Sequence, residues 1–323
     1  MTAQMHAVAF SEPGGPEVLH PVLLSRPEPG PGEVRVRVCA ATVNPTDTVR
    51  RSGGRAAEVL AVPGPYVVGM EFAGELHALG PGVASGLKVG DPVMGMVIPS
   101  GPNGGYAEYV VVPAESVVAA PRGVDLVAAA TVPMNGLSAQ MSLDLIDLSP
   151  GQVLAVTGAA GTYGGYVTQI AKDRGLHVVA DAAEKDRQLV TSRGADVVVE
   201  RGPGVAERIR HAFPEGVDGL VDGAVLNDAV VPAIKAGGRI VTVRFFKGES
   251  ERDVTYHLLK VRDYAREHTK LDELRDLVER GRLTTRVAAT FPFEQAAVAH
   301  RRLEAGGVRG RLVLTFKHRP DDR

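Results

Sequence analysis

Val153-Leu154-Ala155-Val156-Thr157-Gly158-Ala159-Ala160-Gly161-Thr162-Tyr163-Gly164-Gly165-Tyr166 is the stretch on which the fold turns. An apolar strand-like run leads straight into small residues. A helical segment follows, with Val167, Ile170 and Ala171 on one face. Gly158, Gly161 and Gly164 recur at every third position between the two. That order suits a tight turn whose backbone approaches a pyrophosphate, with the helix starting close to the sheet and its free N–H groups facing the anion. The turn has no Gly-Lys-Ser/Thr ending, so it is not a P-loop. Glycines alone would also make a plain structural turn; their place between strand and helix favours a dinucleotide site. Gly158, Gly161, Thr162, Tyr163 and Gly164 are therefore expected to contact a cofactor.

Reading outward, the pattern continues. Strand-like runs at 178–180, 197–199, 219–221 and 240–243 alternate with helix-like runs at 164–174 and 185–192. Apolar strands joined by helices predict a doubly wound parallel sheet covered on both faces. Upstream, the grammar differs. Val34-Arg35-Val36-Arg37-Val38 alternates apolar and polar, and turn residues crowd around it, as in Pro27-Glu28-Pro29-Gly30-Pro31-Gly32 and Val89-Gly90-Asp91-Pro92. Short strands at 92–97 and 106–112 fit between such turns, which predicts an irregular antiparallel barrel. The change of character falls near Pro121-Arg122-Gly123. After the parallel region come helices at 270–280 and 293–305 and a strand at 311–316, expected to pack back on the barrel. The chain of 323 residues thus divides into a barrel domain, 1–122 with 263–323, and a nucleotide domain, 123–262.

Charge and composition exclude several roles. Lys+Arg is 36 against Asp+Glu 38, a formal net charge of −2, and aromatic residues are 5%. Nothing there favours nucleic acid as a partner. The first residues lack a basic segment followed by an apolar one, and no apolar run is long enough for a bilayer, so the sequence reads as cytoplasmic with no membrane partner. The single cysteine rules out an internal disulfide and a multi-cysteine zinc site. Cys39 is expected to be a small buried core residue.

Several further segments accompany the glycine turn: Asn44-Pro45-Thr46-Asp47-Thr48, the run from Val62-Pro63-Gly64 to Gly69-Met70-Glu71-Phe72-Ala73-Gly74, and Lys88-Val89-Gly90-Asp91-Pro92-Val93. Gly194-Ala195-Asp196, Gly237-Gly238-Arg239-Ile240-Val241 and the run from Ala296 to Arg311 join them. Together they resemble the medium-chain dehydrogenase/reductase superfamily in its zinc-independent, quinone-oxidoreductase-like branch, over nearly the whole length. The resemblance implies a GroES-like β-barrel carrying the substrate, a Rossmann domain carrying a nicotinamide cofactor, and a homodimer paired through the Rossmann sheets. Zinc-dependent members carry Cys-Gly-Thr-Asp and Gly-His-Glu segments. Here these places read Asn44-Pro45-Thr46-Asp47 and Gly69-Met70-Glu71, so no metal site is expected.

Without a Lewis acid, hydride transfer favours acceptors that delocalise charge themselves, such as quinones and α,β-unsaturated carbonyls. The resemblance places Asn44 and Asp47 at the nicotinamide and substrate, Asn44 as a hydrogen-bond donor to either and Asp47 orienting its neighbours. The same four residues would also make a good capping turn. The tyrosine that such relatives often carry two residues after the aspartate is Val49 here, and the proton can come from solvent. Tyr66, Met70, Asn103, Met134, Asn135 and Phe246 are candidate substrate-lining residues, each of which ordinary packing also explains.

For the cofactor's adenosine end, Asp181 follows the second strand and could bind a ribose hydroxyl. By resemblance the determining position is Ala182, whose small size leaves room for a 2′-phosphate. Lys185, Arg187 and Arg201 are the nearby cations, so NADPH is expected, with NADH as the alternative. Ala224, Val225, Val243, Arg244 and Phe245 follow later strands and are expected to line the cofactor. The sequence therefore reads as an NADPH-dependent, zinc-independent reductase of quinones or activated C=C bonds. Its rivals are a dedicated enoyl reductase on a biosynthetic intermediate such as a polyketide, and an NADPH-binding protein without chemistry.

Overall fold

The computed structural model describes residues 3–84, 86–244, 246–249 and 251–317. The chain forms two compact units. The first comprises Met1–Met134, Ala265–Glu279 and Thr285–Arg323, the second Asn135–Tyr264 and Arg280–Thr284.

The hub of the first unit is the strand Glu33–Thr42, whose alternation is what the sequence shows: Val34, Val36 and Val38 point into the core. It pairs antiparallel with Glu71–Leu79, Tyr109–Pro113 and, near its end, Arg311–Thr315. The register with Glu71–Leu79 slips twice, and such bulges bend a strand so that a sheet can curl. The sheet runs Val287–Pro292, Arg311–Thr315, Glu33–Thr42, Glu71–Leu79, Pro92–Met96, Val117–Ala119. A smaller sheet holds His20–Ser25, Gln4–Phe10 and Tyr66–Val67. Phe10, Phe72, Leu76 and Tyr106 fill the interior. Cys39, expected in that core, is only half-buried: with Val34, Val36 and Val38 pointing inward, strand alternation puts Cys39 on the other face with Arg37; partial burial still pushes its thiol up. The tail does return to this unit: the helix Ala296–Glu304 buries Ala296, Ala299 and His300, and Glu304 pairs with Arg51 at 2.7 Å.

The expected strand at 106–112 begins at Tyr109 instead. Tyr106 and Glu108 spend their backbone groups on other segments: Val68 accepts from the Tyr106 N–H, and Tyr106 accepts from Val8. The sequence boundary at 122/123 also differs from the division at Met134. The helix Leu126–Ala129, capped by Asp125 accepting from the Ala128 N–H at 2.7 Å, packs on the barrel strands and so belongs with them.

In the second unit six parallel strands lie in the order Val197–Glu200, His177–Ala182, Val153–Thr157, Val217–Asp222, Ile234–Thr242, Thr255–Leu258. The order reverses beside Val153–Thr157, and open sheets of this kind bind ligands at that reversal, outside the carboxyl ends of the strands. Leu154, Ala155 and Val156 are fully buried, as a strand covered on both faces requires. The helix Pro133–Ile146 is buried on nearly all sides. Among the described residues no helix is long and apolar enough to cross a membrane.

Candidate active site

The glycine turn in the second unit has the geometry its sequence implies. Gly158 sits at φ +70°, and a Cβ there would lie 3.0 Å from the Gly223 carbonyl carbon. A Cβ on Gly164 would lie 2.5 Å from the Gly158 oxygen, so only glycine lets the helix start this near the turn. Gly161 donates to the Gly158 carbonyl at 2.9 Å and caps the helix Thr162–Asp173. The first N–H groups of any helix lack partners within it. Beside them the Thr162 Oγ1 is buried with no hydrogen-bond partner. That orphaned hydroxyl and the bare glycine cradle fit an anionic ligand such as a dinucleotide pyrophosphate. The Tyr163 hydroxyl lies 2.6 Å from Ser142 Oγ, and burial pushes its ionisation up.

At the end of the second strand, Asp181 faces the turn. Its Oδ1 accepts from the Gly158 N–H at 2.7 Å and from Ala159 at 3.4 Å. Burial raises this carboxyl, while the two N–H groups and the Arg201 charge oppose the rise. Of the three expected cations, Arg187 is committed to the Val198 carbonyl at 2.9 Å and to Glu184 at 3.2 Å. Lys185 and Arg201 are exposed.

A third segment meets the turn. Thr157 Oγ1 donates to Asp222 at 2.6 Å and accepts from the Ala224 N–H at 3.2 Å; Asp222 also accepts from the Asn227 N–H at 2.8 Å. Val225 and Asn227 are held at positive φ, and Asn227 Oδ1 is buried without a partner. Val243 is half-buried and Arg244 exposed at φ +61°. Phe245 lies outside the described residues. Phe246 packs edge-on against Tyr256 and lines an open cavity of about 560 Å³ with Asp228, Lys247 and Arg252. The buried Nδ2 of Asn135 has no partner.

In the first unit, Asn44 and Asp47 open the helix Pro45–Arg51. Asp47 Oδ2 accepts from the Asn44 N–H at 2.9 Å, and Oδ1 from Gly69 at 3.2 Å. The Tyr106 hydroxyl donates to Asp47 at 3.4 Å and lies 3.1 Å from His300 Nε2. Burial pushes the Asp47 carboxyl up to about 6 against the pull of its N–H donors. Burial, aided by the Arg51 charge, pushes His300 down to about 3.

The Asn44 side chain is committed at both ends. Its Oδ1 accepts from Arg311 at 2.7 Å, and its Nδ2 donates to Glu71 at 3.1 Å and more weakly to Thr42 at 3.4 Å. Glu71 also accepts from Arg311, from the Thr42 hydroxyl and from the Met134 N–H, the last at 2.7 Å. Thr42, Asn44, Glu71 and Arg311 are all buried. Asn44 and Asp47 therefore come together as expected, but as organisers of backbone and charge. Of the expected lining residues in this unit, Met70 and Met134 are buried, and the Tyr66 hydroxyl donates to the Val62 carbonyl at 3.1 Å while its ring packs on Phe10. Asn103 bonds the Val111 backbone in both directions.

Sequence reasoning missed Arg311, Thr42, Tyr106 and His300. Arg311 lies 240 residues from Glu71, and no local spacing announces the contact. Glu71 stood in the quoted Gly69-Met70-Glu71 segment; a carboxylate within an apolar run is the one signal that it needs a buried partner.

Fold and turn together define a two-unit oxidoreductase of the pyridine-nucleotide-binding kind, a GroES-like barrel joined to a Rossmann-like parallel sheet. The chain belongs to the medium-chain dehydrogenase/reductase superfamily, in its quinone-oxidoreductase-like branch. Residues 30–122 match the alcohol dehydrogenase GroES-like domain and residues 175–314 the family described as zinc-binding dehydrogenase. It is 31% identical to a quinone oxidoreductase of Pseudomonas aeruginosa, covering 95% of this chain and 98% of that protein. It is 30% identical to the NADPH-dependent alkenal/one oxidoreductase, chloroplastic, of Arabidopsis thaliana, covering 96% and 79%. The solved quinone oxidoreductase of Coxiella burnetii superposes with a TM-score of 0.83 at 27% identity, covering 98% of this chain and all of that one.

Zinc, which the second family description implies, does not fit the residues at the expected ligand positions. They offer the Asn44 amide and the Met70 thioether in place of thiolate and imidazole, and the neighbouring Glu71 carboxylate is spent on Arg311, Asn44, Thr42 and Met134.

Proposed function

We propose that this protein is an NADPH-dependent, zinc-independent reductase that adds hydride to a quinone or an α,β-unsaturated carbonyl. The observation that carries the reading is the closed Arg311–Glu71–Asn44–Thr42 network where metal-dependent relatives are expected to hold zinc. With those groups committed to one another, the acceptor has to carry its own developing charge, as quinones and enones do.

The glycine turn and the start of the helix Thr162–Asp173 would hold the pyrophosphate, with Thr162 Oγ1 as a further donor. Asp181 supports the reading by tying down that turn. Ala182 adds little bulk at the strand end, and Lys185 and Arg201, both exposed, are the cations that would meet a 2′-phosphate. Ala224, Val225, Val243 and Arg244 lie at the carboxyl ends of the next two strands, where the rest of the dinucleotide would run. When bound, the dihydronicotinamide supplies the hydride. Asn44 and Asp47 act by holding the loop Gly69–Glu71 and the start of the helix Pro45–Arg51 in place; the proton comes from solvent. Among the described residues Thr255–Leu258 is an edge strand of the parallel sheet, which supports pairing of two copies there. Cytoplasmic placement belongs to the same proposal.

The test is oxidation of NADPH and NADH by purified protein against a panel of simple quinones, alkenals and alkenones, with and without a chelator. Turnover that resists chelation and prefers NADPH supports the reading. Tight NADPH binding with no turnover of any simple acceptor points instead to a dedicated enoyl substrate or to a binding role.

A further inference from the structure

Behind the glycine turn lies an arginine that the proposed function does not use. Arg193 follows the short helix Arg187–Ser192 and is 9% exposed. Its Nη1 donates to the Gly161 carbonyl at 3.0 Å and, more loosely, to the Ala159 carbonyl at 3.3 Å. Both acceptors belong to the turn itself. Gly161 is the cap of the helix Thr162–Asp173, and its carbonyl also accepts from the Gly165 N–H at 3.0 Å.

Gly165 makes room for this contact. A Cβ there would lie 2.0 Å from Arg193 Nη1 and 2.8 Å from Cζ. The fourth glycine of Gly158–Gly165 is thus explained by the guanidinium behind the turn and not by a ligand in front of it. Gly158 makes room for the backbone of Gly223, beyond the strand Val217–Asp222, and Gly164 for the turn's own Gly158 carbonyl.

We infer that Arg193 is a positioning residue for dinucleotide binding: it holds the carbonyls of Ala159 and Gly161 on the guanidinium's side of the turn, so that the turn's N–H groups stay aimed at the pyrophosphate. The inference rests on the reading of the turn as the cofactor site. A peptide group has one orientation at a time. Fixing its oxygen behind the turn fixes the following N–H in front, and preorganisation of this kind strengthens binding by lowering the ordering cost. A charged donor suits the task, since hydrogen bonds from a charged group are about twice as strong as neutral ones. The effect concerns the pyrophosphate shared by both nicotinamide cofactors, so it is indifferent to the 2′-phosphate.

The test is equilibrium binding of NADPH and NADH, read by nicotinamide fluorescence or calorimetry, for wild type, Arg193→Met, Arg193→Lys, Gly165→Ala and the double variant Arg193→Met with Gly165→Ala. Arg193→Met is expected to weaken both cofactors by the same factor, roughly ten-fold for two lost charge-assisted bonds. Arg193→Lys, which keeps a charged donor, recovers part of the loss. Gly165→Ala displaces the guanidinium and weakens binding similarly. The double variant is no weaker than the weaker single one, because both changes break the same contact. Unchanged affinity in Arg193→Met, a loss confined to one cofactor, or losses that add in the double variant would each overturn the inference. Wild-type protein that binds neither cofactor overturns the reading of the turn itself, and the inference with it.

Discussion

Replacing His300 by glutamine should reshape the pH dependence of the barrel unit's stability. The wild-type imidazole is buried against Tyr106 and held down to about 3, whereas in the unfolded chain it titrates near 6.5. Its neutral form is the one the fold accepts. The unfolded state therefore takes up a proton that the folded state refuses, and stability falls as pH drops below 6.5. Between about pH 7 and about pH 5 this linkage removes roughly 2 kcal/mol. Asp47, on the other side of the Tyr106 hydroxyl, works in the opposite sense. Its folded value is raised from 3.8 to about 6, so the folded state binds a proton before the unfolded one does. Stability is reduced above that value and is regained as pH falls, by roughly 1.4 kcal/mol over the same interval.

In the wild type the two contributions nearly cancel. His300→Gln removes one and keeps a hydrogen-bonding side chain for Tyr106. Relative to wild type, the variant should gain roughly 2 kcal/mol of stability on going from about pH 7 to about pH 5. Asp47→Asn should lose roughly 1.4 kcal/mol relative to wild type over that range. The assay is urea unfolding at a series of pH values, compared as wild type minus variant so that every other titrating group cancels. A His300→Gln difference that stays flat with pH, or that changes with the opposite sign, would refute the reasoning.

Other consequences follow from the same contacts. Arg311→Met leaves Glu71 a buried carboxylate without its cation and should cost about 3–5 kcal/mol, read as a lower unfolding midpoint. The double variant Arg311→Met with Glu71→Gln should recover a large part of that loss. Gly164→Ala puts a methyl 2.5 Å from the Gly158 oxygen and should abolish cofactor binding, measured by nicotinamide fluorescence. Lys185→Ala should weaken NADPH by about ten-fold and leave NADH within about two-fold, since the loss is one cation facing a phosphate; equal losses would remove Lys185 from the 2′-phosphate.

What could be read from the sequence was local. The glycine turn, the strand before it and the helix after it occupy consecutive positions, so periodicity and turn chemistry expose them together. Asn44 and Asp47 stand at the spacing of a capping box, and its Asp47 half is there, Asp47 accepting from the Asn44 N–H, while the Asn44 side chain is spent on Arg311 and Glu71. Residue type alone puts Cys39 in the core, whereas the alternation of Val34, Val36 and Val38 puts it on the strand's other face, where it lies half-buried. The helix Pro133–Ile146 leaves no signal in the sequence because it has no polar face: a segment buried on nearly all sides shows no amphipathic period. The orientation of Asp181 toward the turn depends on a side-chain torsion. Arg311, Glu71 and Asn44 meet through strands distant in sequence, and only the folded barrel brings them together. The sequence therefore disclosed the local geometry of the glycine turn more readily than how the barrel's buried charges are arranged.

The most direct test of the account is a single-turnover experiment with purified, chelator-treated protein and stoichiometric NADPH, to which one simple quinone or enone is added in excess. Oxidation of the bound nicotinamide with formation of one equivalent of reduced acceptor, undiminished by the chelator, is expected. Oxidation that stops on chelation and returns only with added zinc would contradict it.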